Sequence, residues 1–112
     1  MDTIKLIALA DLQLGVVIFA LGLLLALRKV PMNDSFGIRI RAAYESEQRW
    51  YEVNAYGGRQ LAIWSWLIII AGIAGFLVTP AWSKFYIGAD LLATLLTIGL
   101  PGLLIWRWSR RR

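Results

Sequence analysis

Two aspartates, Asp11 and Asp90, lie inside apolar stretches of the chain and are its clearest candidates for ionisable chemistry. Each stands sixteen positions before the residue at which its predicted membrane helix ends, Leu27 and Trp106 respectively. At 1.5 Å per residue, both carboxyl groups then lie about 24 Å from that boundary, at a similar depth. Two acids at one depth inside a membrane could bind a cation or relay protons.

The same depth places both acids near the opposite boundary of the membrane, which supports a second interpretation. There the two carboxylates could reach headgroup water and meet Lys5 or Lys84. Gln13 is the only further polar residue that could join Asp11 and Asp90 in lining a polar path. The sequence leaves both interpretations open.

The long polar segment from Val30 to Gly58 separates two apolar stretches and holds four of the seven acids. Its residues Asn33, Arg39, Trp50 and Asn54 could grip a peptide, a lipid headgroup or the loop of a partner protein. Polar side chains in loops also commonly bind the backbone. In that case the two asparagines cap backbone groups, and Arg39 pairs with an acid of the same segment, Glu45 or Glu52.

The amino-acid composition excludes several kinds of site. The chain has no cysteine and no histidine, which removes disulfides, thiolate metal sites, cysteine nucleophiles and histidine-based catalysis or haem ligation. We therefore expect no metal and no cofactor, and an enzyme is the least favoured class. Hydrophobic residues make up 59% of the 112 residues, which is too apolar for a soluble domain of this size.

Three apolar stretches predict membrane helices at about residues 4–27, 61–78 and 87–106. The first is about 36 Å long as a helix, which is enough to cross a hydrocarbon core of roughly 30 Å. A loop of residues 28–60 and a basic tail of residues 107–112 complete the predicted organisation. The fold class is thus all-α, with residues 1–112 forming a single membrane domain.

Within the loop, residues 42–56 predict a short amphipathic helix that lies in the membrane interface. Tyr44, Trp50 and Val53 would form its apolar stripe, and its glutamates would face outward. Gly57 and Gly58 are predicted to end this helix and to permit a sharp turn into the second membrane helix.

The distribution of basic residues predicts the orientation of the chain. Ten of the twelve Lys/Arg residues lie in the loop or the tail, so that side should face the cytoplasm and the N-terminus should lie outside. The same distribution favours a membrane protein over a nucleic-acid-binding protein. Basic residues that flank the helices could bind anionic lipid headgroups or act only as topology signals: Arg28, Lys29, Arg107, Arg110, Arg111 and Arg112.

The polar segment resembles the SdpI family of small bacterial membrane proteins. The resemblance rests on the order and spacing of these residues in the polar segment: Pro31, Asn33, Gly37, Arg39, Trp50, Asn54, Gly57 and Gly58. The family is named for an immunity protein against a sporulation-delaying toxin that also takes part in signalling. The resemblance implies a bacterial cytoplasmic membrane location and a motif, Asn33 to Gly58, that could bind a partner. Ile40 to Ala43 stand where many members have a Thr-Pro-x-Thr run.

These observations favour a non-enzymatic interaction protein of the membrane, similar to SdpI-type immunity or signalling factors. An alternative is a small accessory subunit that packs against and stabilises a larger membrane complex. A small transporter or channel that uses the intramembrane polar residues is the third candidate. The expected partners are membrane lipids and either another membrane protein or further copies of the chain.

Overall fold

The computed structural model describes residues 2–111 and consists of three long helices. They are α1 (Thr3–Ala26), α2 (Glu47–Gly75) and α3 (Ser83–Arg110), with short 3₁₀ turns at Arg41–Tyr44 and Pro80–Trp82. The residues described contain no strand. All three helices are long and apolar enough to cross a membrane, so the predicted all-α fold with three membrane helices is confirmed.

Local signals set the ends of the helices. The Asp2 carboxylate accepts a hydrogen bond from the Lys5 backbone N–H and caps the start of α1. The Ser46 hydroxyl does the same for α2, with the Arg49 N–H as donor. At the end of α1, Arg28 adopts a φ of 60°, and the Lys29 N–H reaches the Leu24 carbonyl. This closing turn is one that glycine usually makes.

The predicted interfacial helix is absent as a separate element in the part of the chain described. Its first residues form the 3₁₀ turn Arg41–Tyr44, and the rest belong to the first turns of α2. The predicted break at Gly57 and Gly58 is wrong, because α2 continues through both residues to Gly75. These glycines are buried against neighbouring elements, so they serve helix packing instead of a turn.

Helices α1 and α2 pack antiparallel through a line of glycines. A Cβ added at Gly22 would lie 2.7 Å from the Gly58 carbonyl oxygen and 2.9 Å from the Ala62 nitrogen. Toward the N-terminus of α1, Ala8 contacts Gly72 of α2: a Cβ added at Gly72 would lie 2.9 Å from the Ala8 carbonyl oxygen. The two backbones therefore approach closely along most of α1, as small residues allow in membrane helix pairs.

Helix α2 is the centre of the bundle, since α1 and α3 pack chiefly against it and little against each other. With 29 residues, α2 is about 43 Å long and extends beyond the 24-residue α1. The loop between α1 and α2 folds over this extension. We call this end the loop end and the opposite one, at residues 76–82, the far end.

Candidate functional site

The loop of residues 28–46 folds into a compact structure, the loop cap, that packs on the first turns of α2. The core of this contact consists of Ala43 in the loop cap and Trp50 and Val53 on α2, each with no exposed surface. Val30, Ile38 and Trp108 are among the partly buried side chains that surround them. The loop cap is therefore a small hydrophobic core beyond the end of α1, and it is tied to both α2 and α3.

Asn33 organises the first turn of the loop cap. Its Oδ1 accepts hydrogen bonds from the backbone N–H groups of Ser35 (2.8 Å) and Phe36 (2.7 Å), and its Nδ2 donates to the Pro31 carbonyl (2.7 Å). The Tyr44 hydroxyl donates to the Asn33 carbonyl at 2.7 Å. Asn33 thus caps backbone groups, which is one of the two roles that the sequence allowed.

Asn54 joins the loop cap to α2 and is only 1% exposed. Its Oδ1 accepts from the Ile38 backbone N–H at 2.6 Å, and its Nδ2 donates to the carbonyls of Ile38 (3.3 Å) and Trp50 (3.0 Å). The amide therefore satisfies both backbone groups of Ile38, as a neighbouring strand would do. Backbone groups that folding shields from water need such partners.

Trp50 and Gly37 complete the contact between the loop cap and α2. The indole of Trp50 is fully buried and donates from Nε1 to the Val30 carbonyl at 2.9 Å. Gly37 has a φ of 119°, a conformation that residues with a side chain rarely adopt. A Cβ there would also lie 2.9 Å from the Asn54 Oδ1 and 3.0 Å from the Trp50 ring. The residues of the family resemblance in the loop cap and at the start of α2 therefore form one connected structural unit.

Arg39 is the charged residue of the resemblance, and it remains exposed. Its guanidinium donates to the Asp34 carbonyl, so the predicted pairing with Glu45 or Glu52 is wrong. Glu52 instead pairs with Arg49 at 3.6 Å, because the two residues are three positions apart on α2. Arg39 thus presents most of its charge on the outer surface of the loop cap.

Two stacked aromatic rings, flanked by an arginine on each side, fasten the end of α3 to α2. The rings of Tyr56 and Trp108 are parallel within 7° at a centroid distance of 4.7 Å. The Arg49 guanidinium lies 5.4 Å from the Trp108 ring, and that of Arg59 lies 5.9 Å from the Tyr56 ring. The sequence analysis missed this contact, because only the Tyr56/Arg59 spacing on α2 signals it.

Gly57 and Gly58 mark the point where the loop cap, α1 and α3 all meet α2. A Cβ on Gly57 would clash with the Ile38 side chain and lie 3.0 Å from the side chain of Ile105 on α3. A Cβ on Gly58 would lie 2.6 Å from the Leu25 Cβ on α1. Both motif glycines are therefore required by close packing.

Asp11 and Asp90 meet between α1 and α3, nearer the far end. Asp11 is 8% exposed, and its carboxyl group lies within hydrogen-bonding reach of Asp90. The Tyr86 hydroxyl, one turn from Asp90 on α3, also interacts with it and donates to the Ala71 carbonyl at 2.8 Å. Their similar depth was predictable from helix length, whereas the direct contact was not.

The other polar candidates lie apart from this pair. Gln13 is exposed on a different face of α1. In residues 2–111 the one ion pair is that of Arg49 with Glu52, so Lys5 and Lys84 do not neutralise the two acids. The expectation that these lysines meet the acids is therefore wrong.

The predicted headgroup residues gather at the loop end. Arg28 and Lys29 follow α1 and are exposed, as are three arginines at the end of α3: Arg107, Arg110 and Arg111. Arg112 lies outside the described residues. The Arg110 guanidinium lies 5.1 Å from the Trp106 ring, an arrangement that suits a membrane interface.

Comparison with known proteins gives one match. A sequence model of the SdpI/YfhL protein family matches residues 29–106, which is well over half of the chain and includes the loop cap, α2 and most of α3. This match confirms the resemblance. No curated protein and no solved structure matches the chain. Asp90 lies within the matched residues and Asp11 outside them.

Proposed function

Because the chain belongs to the SdpI/YfhL protein family, we propose that it is a non-enzymatic membrane protein of the SdpI type that acts in immunity or signalling by binding a partner. The partner is another protein of the bacterial cytoplasmic membrane or a toxin that acts there. The observation that carries this proposal is the loop cap, an ordered surface built from the residues of the family resemblance.

The internal bonding of the loop cap supports a binding role. Asn33, Trp50 and Asn54 direct their hydrogen-bonding groups inward, so they fix the shape of the surface and leave other residues to contact a partner. Exposed Arg39 and Arg41 then provide positive charge on a rigid base. A surface ordered before binding loses less conformational entropy when a partner docks.

The orientation forms part of the proposal. The loop end carries most of the basic residues, and cytoplasmic loops are enriched in Lys and Arg. We therefore place the loop cap and the C-terminus in the cytoplasm and the N-terminus outside. Reporter fusions at each terminus test this: a cytoplasmic reporter should be active only at the C-terminus, and the opposite pattern would reverse the topology.

A toxin-challenge assay tests the immunity role. Cells that lack the gene should survive a membrane-active peptide toxin less well than cells that carry it. Restoring the gene with Arg39→Gln should give less protection than the wild-type gene, because a surface charge is lost while the loop cap stays folded. Lys84→Gln, which removes an exposed positive charge at the far end and leaves the loop cap unchanged, is the matched control and should protect fully. Equal survival with and without the gene, for every candidate toxin, would count against immunity.

The outer face of α3 favours a second candidate, an accessory subunit of a larger membrane complex. A Cβ added at Gly88, Gly99 or Gly102 would meet nothing within 4 Å, so a further helix has room to pack closely there. Purification in mild detergent separates the two candidates. A stoichiometric co-purifying membrane protein that is lost with Gly99→Leu would favour the accessory subunit, whereas isolation of the chain alone would oppose it.

A further inference from the structure

The contact between Asp11 and Asp90 leaves carboxylate oxygens without partners. Neither Asp11 Oδ2 nor Asp90 Oδ1 has a hydrogen-bond partner in the part of the chain described, although both atoms are buried. Asp11 as a whole is more than nine-tenths buried. Two ionised carboxylates in such surroundings lose hydration and repel each other. A single positive charge placed between them relieves both effects.

The neighbouring side chains do not supply that charge. Helix α2 packs against the two helices that carry the acids, yet its stretch from Leu61 to Gly75 contains no ionisable residue. Helix α1 contributes Asp11 alone at this level, and α3 contributes Asp90 and Tyr86. The Tyr86 hydroxyl donates its proton to the Ala71 carbonyl, so that proton is not available to either carboxylate.

We propose that Asp11 and Asp90 share one proton and form a proton-binding site within the membrane-spanning part of the protein. A proton suits the two carboxylate groups better than a metal ion does. No group of three or more acidic, histidine or cysteine side chains lies together in residues 2–111, whereas hard cations such as Ca²⁺ take six or more oxygen ligands.

A recess opens at the far end of the molecule, on the same side of the bundle as this site. It has a volume of about 500 Å³ and lies between the start of α1, the end of α2 and the start of α3. Its lining includes the charged residues Asp2 and Lys5 and extends to Gly75. A Cβ on Gly75 would lie 2.8 Å from the Tyr86 ring. Tyr86 therefore packs beside the recess, one turn from Asp90, while the two acids do not line it.

The position of the site links proton binding to helix packing. Because α1 and α3 pack chiefly on α2, the carboxyl pair is a direct bond between two helices that otherwise touch little. With one proton, the carboxyl groups of Asp11 and Asp90 form a hydrogen bond between α1 and α3. Without it, two like charges face each other and push the helices apart.

Infrared spectroscopy of the purified protein in lipid nanodiscs tests the proposal. Wild-type protein at neutral pH should show the C=O stretching band of a protonated carboxylic acid, with the intensity of one group per chain, and the band should shift in D₂O. The double variant Asp11→Asn/Asp90→Asn should lose the band. Asp2→Asn, which changes an exposed acid and retains a capping side chain, is the matched control and should keep it.

Three results would overturn the proposal. The first is a wild-type spectrum without the band, which shows that both acids are ionised, and this measurement does not require any variant to fold. The second is a band that persists in the double variant, since it would belong to another acid. The third is loss of the band on adding Na⁺ at constant pH, which would identify a metal cation as the occupant. None of these readouts depends on toxin immunity, so the two proposals fail separately.

Discussion

Replacing Asn54 with leucine should detach the loop cap from α2 while leaving the three helices intact. The substitution keeps the approximate volume but removes the amide that serves both backbone groups of Ile38. A buried backbone group without a partner costs about 1–3 kcal/mol. Two such groups would lower the stability of the loop cap by about 2–4 kcal/mol, because partial opening lets water reach them.

Hydrogen–deuterium exchange in detergent micelles measures this loss locally. Amide groups of residues 30–46 should exchange roughly 30- to 1,000-fold faster in Asn54→Leu than in the wild type, since each 1.4 kcal/mol of opening free energy is tenfold. Amide groups in the middle of α1 and α3 should exchange at unchanged rates. The effect is local because Asn54 bonds only within the joint between loop cap and α2.

Gln60→Leu is the matched control for this experiment. Gln60 is also a partly buried amide on α2, but its side chain accepts a single bond from the Trp64 indole at 3.3 Å, and no loop backbone depends on it. Its substitution should leave exchange in residues 30–46 within a few-fold of the wild type. Equal exchange in Asn54→Leu and Gln60→Leu would refute the idea that the Asn54 amide holds the loop cap.

Three further predictions concern thermal unfolding in detergent. Gly58→Ala should lower the unfolding free energy by about 1–3 kcal/mol, because its Cβ meets the α1 backbone. Gly88→Ala, in open space on a helix, should instead raise it by about 0.5–1 kcal/mol, and equal effects would contradict the packing argument. Arg28→Gly should raise it by roughly 0.5–1 kcal/mol by relieving the positive φ, whereas Arg28→Ala, which loses the same charge but keeps the strain, should not. Trp108→Leu should lower it by about 1–3 kcal/mol through loss of the stacked ring, and Trp106→Leu, an exposed indole on the same helix, by less.

Hydropathy and length were enough to predict the three membrane helices, because each apolar stretch alone is long enough to cross a bilayer. The glycines of the loop end were misread for a physical reason. In water, adjacent glycines favour a turn, but Gly57 and Gly58 lie inside α2, where neighbouring elements compensate for their low helix propensity. A single sequence does not show which neighbour will approach a glycine, so it cannot separate a turn from a packing site.

The candidate sites show a similar limit. The rise per residue of an α-helix predicted a common depth for Asp11 and Asp90. The direction in which each side chain points depends on how α1 and α3 pack on α2. The bond between Asn54 and Ile38 spans sixteen positions and follows no helical or strand period. Position within the apolar stretches therefore identified the two acids, and the family resemblance identified Asn54, while the contacts that give these residues a role needed the packed structure.

The two ends of the molecule differ in how the charges of their buried ionisable groups are balanced. The Nε and Nη2 atoms of Arg49 are buried without hydrogen-bond partners, but its guanidinium pairs with Glu52 and lies over the Trp108 ring. At the loop end, the side chains of Asn33, Trp50 and Asn54 bond to the backbone, and substituting any of them removes a structural contact. Nearer the far end, the acid pair retains buried oxygens without partners. Groups that lack partners respond most to an added proton, ion or charge, because their interaction energy is still available. A change of state in this protein should therefore begin at the contact between α1 and α3, with the loop cap carried as a rigid body on α2.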